Sequence, residues 1–134
     1  MSREIIKEAV TMGSRLGYAF LATADNEGLP HMTVSGRLDV EADGNVSISQ
    51  WFCPGTLANL EINPRISIVA WDPVSDTGFQ MLATYEKAED LSMMNGLSPE
   101  TEDKAPLPQV ERKILVRVDK VLRFSLAPHS DVEE

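Results

Sequence analysis

Residues 46–71 constrain the fold of this chain more than any other stretch. The first six of them alternate between apolar and polar with a period of two, which predicts a β-strand. A Pro-Gly pair breaks the pattern, and Thr56 is placed to cap a short helix over residues 57–62, after which a second strand begins. Because the first amides of a helix are unpaired, a hydroxyl here is typical either of a helix cap or of a small anion site. Spacing alone favours the cap.

Composition excludes several classes of partner. The chain has 134 residues, 43% of them hydrophobic, which predicts a single packed domain over residues 1–134. A net charge of −9 argues against nucleic acid and anionic membrane as partners. The single Cys53 excludes an internal disulfide and a cysteine-cluster metal site. There is no apolar run of membrane-spanning length and no signal-peptide core, so we expect a cytoplasmic protein.

The N-terminal segment and the strands follow from periodicity. Apolar residues at helical spacing (Ile5, Ala9, Met12 and Leu16) predict a helix within residues 1–16, capped by Ser2 and closed by Gly17. Period-two patterns between turn residues predict six strands, at residues 18–24, 30–40, 46–51, 66–71, 79–87 and 111–126. Six strands joined by hairpins and one helical crossover predict an antiparallel barrel with peripheral helices.

The C-terminal third has less regular patterns. A turn or two of helix is expected within residues 88–95, followed by an exposed connection over 96–108 that is rich in proline and acids. In the last strand one face is expected to carry Ile114, Val116, Val118, Leu122 and Phe124. Residues 127–134 are expected to form a flexible tail.

Side-chain chemistry alone does not point to a reaction. Cys53 has no obvious base, and a cysteine between Phe52 and Pro54 is more often simply packed. His31 and His129 show no metal-ligand spacing, so no metal site is predicted. Glycine-rich phosphate loops are absent from the sequence. The remaining candidates for a ligand site are the Thr56 hydroxyl and two tryptophans, Trp51 and Trp71, each of which suits either a packed core or a contact with a flat ligand.

Four stretches together carry a family resemblance. They are Phe20–His31, Asp43–Gly44 with Ser47–Ser49, Thr56–Arg65 and Gly78–Gln80. In order and spacing they resemble the FMN-binding split barrel family, typified by pyridoxamine 5′-phosphate oxidase. The resemblance implies a mainly β fold: a six-stranded antiparallel split β-barrel of the FMN-binding type, with an N-terminal helix and a short crossover helix. It also implies a homodimer with FMN in a groove between the subunits.

The resemblance also implies which residues contact the cofactor. Thr56 corresponds to a phosphate contact and Gln80 to a flavin-facing position of the fifth strand. The other implied cofactor-binding residues lie in two neighbouring strands and approach the ring or the ribityl chain: Thr33, Val34, Ser35, Ser49, Gln50 and Trp51. Each has a simpler structural interpretation, as an alternating strand residue, a helix cap or, for Trp51, a filler of the dimer core. No catalytic residue is implied.

One departure from the family pattern concerns the phosphate. Family members commonly carry Lys or Arg at or just before the Thr56 position, whereas this chain has Cys-Pro-Gly-Thr there. Loss of one charge-assisted contact weakens binding by about 1.5–3 kcal/mol, unless Arg37 or Lys87 compensates.

Three functions therefore stay open. The first is an FMN-dependent oxidoreductase that acts on a small substrate, with NAD(P)H as a candidate electron donor. The second is a flavin carrier or electron-transfer protein without turnover. The third is a split barrel that has lost FMN and binds another ligand, such as a deazaflavin or haem.

Overall fold

The computed structural model describes residues 3–51, 54–93 and 110–128, with the backbone alone at residues 50–51, 90–93 and 110–112. Two helices and seven strands follow one another along the described chain. In chain order they are α1 (Arg3–Leu16), β1 (Ala19–Ala24), β2 (Pro30–Ser35), β3 (Arg37–Val40), β4 (Val46–Trp51), α2 (Pro54–Ile62), β5 (Arg65–Asp72), β6 (Thr77–Met93) and β7 (Val110–Arg123).

All seven strands belong to one antiparallel sheet with the order β2-β1-β5-β6-β7-β4-β3. The strand predicted over residues 30–40 is divided at Gly36, which is why seven strands form rather than six. Ser35 pairs with Ala19 of β1, whereas Arg37 pairs with Ser49 of β4. One residue thus joins the two edge strands, so the edges approach within about 7 Å there. The sheet must curl to allow this, and the result is a half-barrel with two helices, which confirms the predicted fold class.

Strand alternation gives the first half of the sheet two distinct faces. On β1, β5 and β6 the buried side chains fall at every second position, and we call their side the covered face: Ala19, Leu21, Thr23, Ile66, Ile68, Ala70, Phe79, Met81 and Ala83. The intervening side chains form the open face. They include Phe20, Ala22, Val69, Gln80 and Leu82, which are all only partly buried.

Helix α1 covers part of the core and confirms the N-terminal helix. It packs on β3, β5 and β6 through buried residues that include Ala9 and Val10. A Cβ added at Gly13 would lie 2.8 Å from Leu38 Cδ1, so the helix approaches β3 closely at that point. Gly17 ends the helix with φ +86°, and its amide donates to the Gly13 carbonyl at 2.9 Å. The cap predicted at Ser2 lies outside the described residues.

Two sequence-based expectations about the last strands are wrong. Residues 88–93 continue β6 rather than forming helix, because they pair with β7 from Ala88↔Ile114 to Met93↔Val110. A register shift also places Leu82 opposite Lys120 but Ala83 opposite Val118. This bulge changes the phase of β7, so Val121 is buried and Leu122 turns to the open face. The predicted connection at 96–108 lies outside the described residues, as does most of the predicted tail.

Candidate functional site

Thr56 lies in the first turn of α2 and is buried, with 1% of its surface exposed. The helix begins at Pro54, which suits proline because the first helical amide needs no partner. Thr56 is therefore the third helical residue and not the cap. Its Oγ1 is buried and has no hydrogen-bond partner in the described structure. The interpretation of this hydroxyl as a helix cap is thus wrong.

Thr33 and Ser35 share this feature. They stand opposite Leu21 and Ala19 of β1, on the covered side of β2, where α2 packs against both strands. Both hydroxyl oxygens are buried without a hydrogen-bond partner among the described residues. Val34 points to the open face instead and is 52% exposed.

The three buried hydroxyls without a partner are carried by β2 and by the first turn of α2, two elements that contact each other. A buried hydroxyl left without a partner costs about 1–3 kcal/mol. The second half of α2 shows the contrast, because Asn59 Nδ2 donates to Thr23 Oγ1 at 3.1 Å. Thr23 is therefore paired with α2, whereas Thr33, Ser35 and Thr56 lack a partner among the described residues. A ligand that brings hydrogen-bonding oxygens or nitrogens would supply what these hydroxyls lack.

Arg37 and Lys87 are the two candidates to replace the Lys or Arg that the family carries next to the phosphate. Each of them already has an acidic partner. Arg37 Nε donates to Asp39 Oδ2 at 2.9 Å, and Lys87 Nζ lies 3.4 Å from Glu89 Oε2. Both pairs are largely exposed, so water screens them and they can rearrange at little cost. Arg37 lies two residues beyond Ser35 and directly opposite Ser49, which is itself 8% exposed.

Gln80 does not join this cluster within one chain. It lies on the open face of β6 and donates through Nε2 to Ser67 Oγ at 2.7 Å. The row Val34–Phe20–Val69–Gln80 crosses four neighbouring strands, so its two ends are separated by three strand spacings, about 14 Å. Gln50 and Trp51 are the last two residues of β4, and the structure describes only their backbone.

The open face is apolar, a feature that the sequence analysis did not single out. Met32 is 61% exposed and Val34 52% exposed, next to the partly buried Phe20 and Val69. Tyr18 packs edge-on against Phe20 with ring centroids 5.7 Å apart. The alternation in β1 and β2 could have revealed this apolar face. Once the two strands are paired, residues 30, 32 and 34 stand opposite residues 24, 22 and 20 on the same side of the sheet.

Trp71, the second tryptophan that suited a flat ligand, is held by protein contacts. Its Nε1 donates to Asp76 Oδ1 at 3.0 Å, and its ring lies 6.0 Å from that of Phe124. The same Asp76 carboxylate accepts the Leu126 amide at 2.9 Å. Trp71 therefore helps to fix the segment after β7 to the β5–β6 turn.

Metal chemistry finds no support in the described ranges, where His, Cys, Asp and Glu form no group of three or more that could hold an ion. None of the helices that the structure describes is long and apolar enough to cross a membrane.

Comparison with known proteins identifies the fold. No family model and no curated protein matches the chain. Among solved structures, an FMN-binding protein from Syntrophomonas wolfei superposes with a TM-score of 0.67 at 16% identity, covering 93% of this chain and 89% of that one. A Clostridium acetobutylicum protein of the pyridoxinephosphate oxidase family, related to general stress protein 26 of B. subtilis, gives 0.60 at 14% identity, with coverages of 94% and 92%. HutZ, the haem storage protein from Vibrio cholerae, gives 0.55 at 16% identity, with coverages of 92% and 96%.

These likenesses assign the architecture. The chain has the split-barrel fold of FMN-binding and pyridoxamine 5′-phosphate oxidase-like proteins, as its sequence resemblance predicted. The same fold includes a haem storage protein, so the fold alone does not select the ligand.

Proposed function

We propose that this protein binds FMN between strand β2 and the first turn of helix α2, and that it is a homodimeric flavin-dependent oxidoreductase for a small substrate. One observation carries the proposal. The buried, unpartnered hydroxyls of Thr33, Ser35 and Thr56 belong to residues that the family resemblance assigns to the cofactor. The likeness in fold to an FMN-binding protein supports the same ligand.

The residues fit the parts of this cofactor. The first amides of α2 and the Thr56 hydroxyl would hold the phosphate, since a helix start presents unpaired donors and a favourable dipole to an anion. Thr33 and Ser35 would donate to the polar edge of the ring or to the ribityl chain. Arg37 would supply positive charge by leaving Asp39. FMN would provide the hydride and electron chemistry, while the chain binds and orients it.

The open face supports a homodimer. In an isologous pair each contact occurs twice, so one surface must complement itself. Val34 and Gln80 lie at opposite ends of one row of this apolar face. Pairing two open faces about a two-fold axis parallel to the strands would bring Gln80 of one copy towards Val34 of the other, whereas the hydroxyls of Thr33, Ser35 and Thr56 lie on the covered side of the sheet.

A second candidate function is a split barrel that binds a different ligand, such as haem or a deazaflavin. The absence of Lys and Arg from residues 46–64 favours it, because FMN phosphate then lacks an adjacent cation in the sequence. The likeness in fold to a haem storage protein supports the haem alternative.

The test is the visible absorption spectrum of the purified protein, followed by an FMN titration monitored through flavin fluorescence. Yellow protein or saturable quenching is expected. No quenching at about 100 μM FMN, where even a micromolar site would be nearly full, would exclude the flavin reading. NADH or NADPH oxidation with the FMN-loaded protein then separates an oxidoreductase from a flavin carrier, because only the former turns over.

A further inference from the structure

The Arg37–Asp39 ion pair lies where the two edge strands of the sheet meet, next to two of the residues implied in cofactor binding. Arg37 follows Ser35 by two residues and stands directly opposite Ser49 of β4. The Ser35 hydroxyl is buried without a hydrogen-bond partner in the described structure, and Ser49 is 8% exposed. Arg37 thus places a positive charge beside these hydroxyls, whereas residues 46–64 contain no Lys or Arg.

Asp39 holds this charge by a single hydrogen bond. Arg37 Nε donates to Asp39 Oδ2 at 2.9 Å, and among the described residues nothing accepts from the other two guanidinium nitrogens. The side chains of Arg37 and Asp39 are 60% and 45% exposed, so a competing anion can approach the pair. A guanidinium binds a phosphate in the same way as a carboxylate, through parallel N–H groups. The Asp39 carboxylate and a phosphate therefore compete for one cation.

A second ion pair, just beyond the end of β3, is held more firmly. Glu41 Oε1 lies 3.4 Å from Lys113 Nζ, and Glu41 Oε2 accepts from the hydroxyl of the buried Ser47 at 2.7 Å. Both charged side chains are largely shielded from water, at 26% and 30% exposed. Glu41 is thus fixed at both oxygens and keeps Lys113 paired, whereas an exposed pair such as Arg37–Asp39 separates at little cost. Of these two cations, Arg37 is the one available to an anion.

We propose that Asp39 sets how strongly this protein prefers a phosphorylated flavin, because it competes with the phosphate for Arg37. The inference rests on the proposed FMN site and adds a specificity-determining residue to it. Binding of FMN then includes the loss of one ion pair, so the phosphate adds less affinity than it would with an unpaired arginine. Riboflavin has the same ring and ribityl chain but no phosphate, so its binding does not depend on Asp39.

The experiment titrates the full chain with FMN and with riboflavin and follows the quenching of flavin fluorescence. Asp39→Asn removes the competing charge and should tighten FMN binding about two- to fivefold, the range expected for an exposed ion pair. Riboflavin binding should be unchanged, which also shows that the variant is folded. Glu89→Gln is the matched control, because it removes the same charge from the partner of Lys87 and should leave both affinities unchanged.

A double variant tests whether the effect of Asp39 passes through Arg37. Arg37→Gln alone should weaken FMN binding about tenfold. Asp39→Asn added to Arg37→Gln should have no further effect, since the cation for which the two anions compete is gone.

The outcomes separate this inference from the proposed function. If neither flavin quenches at about 100 μM, the flavin site itself is excluded. If FMN binds but Asp39→Asn leaves its affinity unchanged, or changes the affinities for FMN and riboflavin equally, the FMN site stands and the role of Asp39 is overturned. Tighter FMN binding in Glu89→Gln but not in Asp39→Asn would assign the cation to Lys87 and would overturn it as well.

Discussion

Ser35 and Arg37 are two residues apart in the chain, yet their strands form opposite ends of the sheet order. Ser35 pairs with β1 at one end, and Arg37 pairs with β4 at the other. The curl that this connection imposes brings β2 and β4 into contact, and α2 follows directly after β4 and packs on β2. Three of the four elements implied in cofactor binding, β2, β4 and α2, are therefore brought together by one structural feature, the closure of the barrel at Gly36, whereas β6 with Gln80 is not.

The apolar open face leads to a prediction about association. Met32→Glu places a charge on this face at a side chain that is 61% exposed in the single chain. We expect the variant to fold normally but to elute as a monomer in size-exclusion chromatography, because a charge buried in an apolar interface is costly. Val74→Glu is the matched control, since Val74 is 95% exposed in the β5–β6 turn. If both variants behave like a dimeric wild type, the open face is not the interface.

A pair of glycine substitutions tests the packing of β6. A Cβ at Gly78 would lie 2.7 Å from the Ala70 carbonyl oxygen and 2.8 Å from that of Phe124. Since both are backbone atoms that cannot move aside, Gly78→Ala should lower the free energy of unfolding by about 1–3 kcal/mol or more. Gly55→Ala, in the first turn of α2, meets nothing within 4 Å and should be neutral or stabilising by up to about 1 kcal/mol. Urea denaturation measures both, and equal stability of the two variants would contradict this geometry.

The Asp119–Thr84 hydrogen bond predicts a dependence of stability on pH. The pKa of Asp119 is lowered in the folded state, so its stabilising contribution is present at pH values above the unfolded pKa of about 4 and is lost as the pH falls through the folded value. Thr84→Val removes the main cause of the shift. We expect the variant to be less stable than the wild type at pH 7 and the difference to shrink towards pH 2.

Carbon-13 NMR of the carboxyl groups gives the direct check. The pKa of Asp119 should rise in Thr84→Val, while Asp72, whose lowered pKa comes first from the Val74 amide, should titrate as in the wild type. An unchanged Asp119 pKa would show that the Thr84 hydroxyl is not what stabilises the charge.

Most of the helices and strands were predictable from the sequence. The face to which the side chains of β7 point after its bulge, and the order of the strands in the sheet, were not. The alternation of Ile66, Ile68 and Ala70 predicts β5 and its buried face, because successive side chains of a strand point to opposite faces whatever its neighbours are. Leu122 was assigned to the wrong face because the bulge near Lys120 arises from pairing between strands, which a single strand does not reveal.

The same limit applies to the candidate site. Strand alternation already separates Val34 from Thr33 and Ser35, so these residues could have been assigned to opposite faces from the sequence. The distance of Gln80 from the other predicted residues depends on the order β2-β1-β5-β6, and strand order is a tertiary property. The burial of the Thr56 hydroxyl likewise required the packing of α2 on the sheet.

The central claim is that the unpartnered hydroxyls near the start of α2 receive FMN, and Thr56→Val tests it most directly because valine keeps the shape of threonine without the hydroxyl. Two quantities are measured on the same sample: the free energy of unfolding without flavin and the Kd for FMN. The account predicts that the flavin-free variant is as stable as the wild type or up to about 1–3 kcal/mol more stable, since an unsatisfied buried group is removed. It predicts FMN binding about tenfold weaker, because the phosphate loses a donor. A variant that is destabilised without flavin and binds FMN with unchanged affinity would contradict the account.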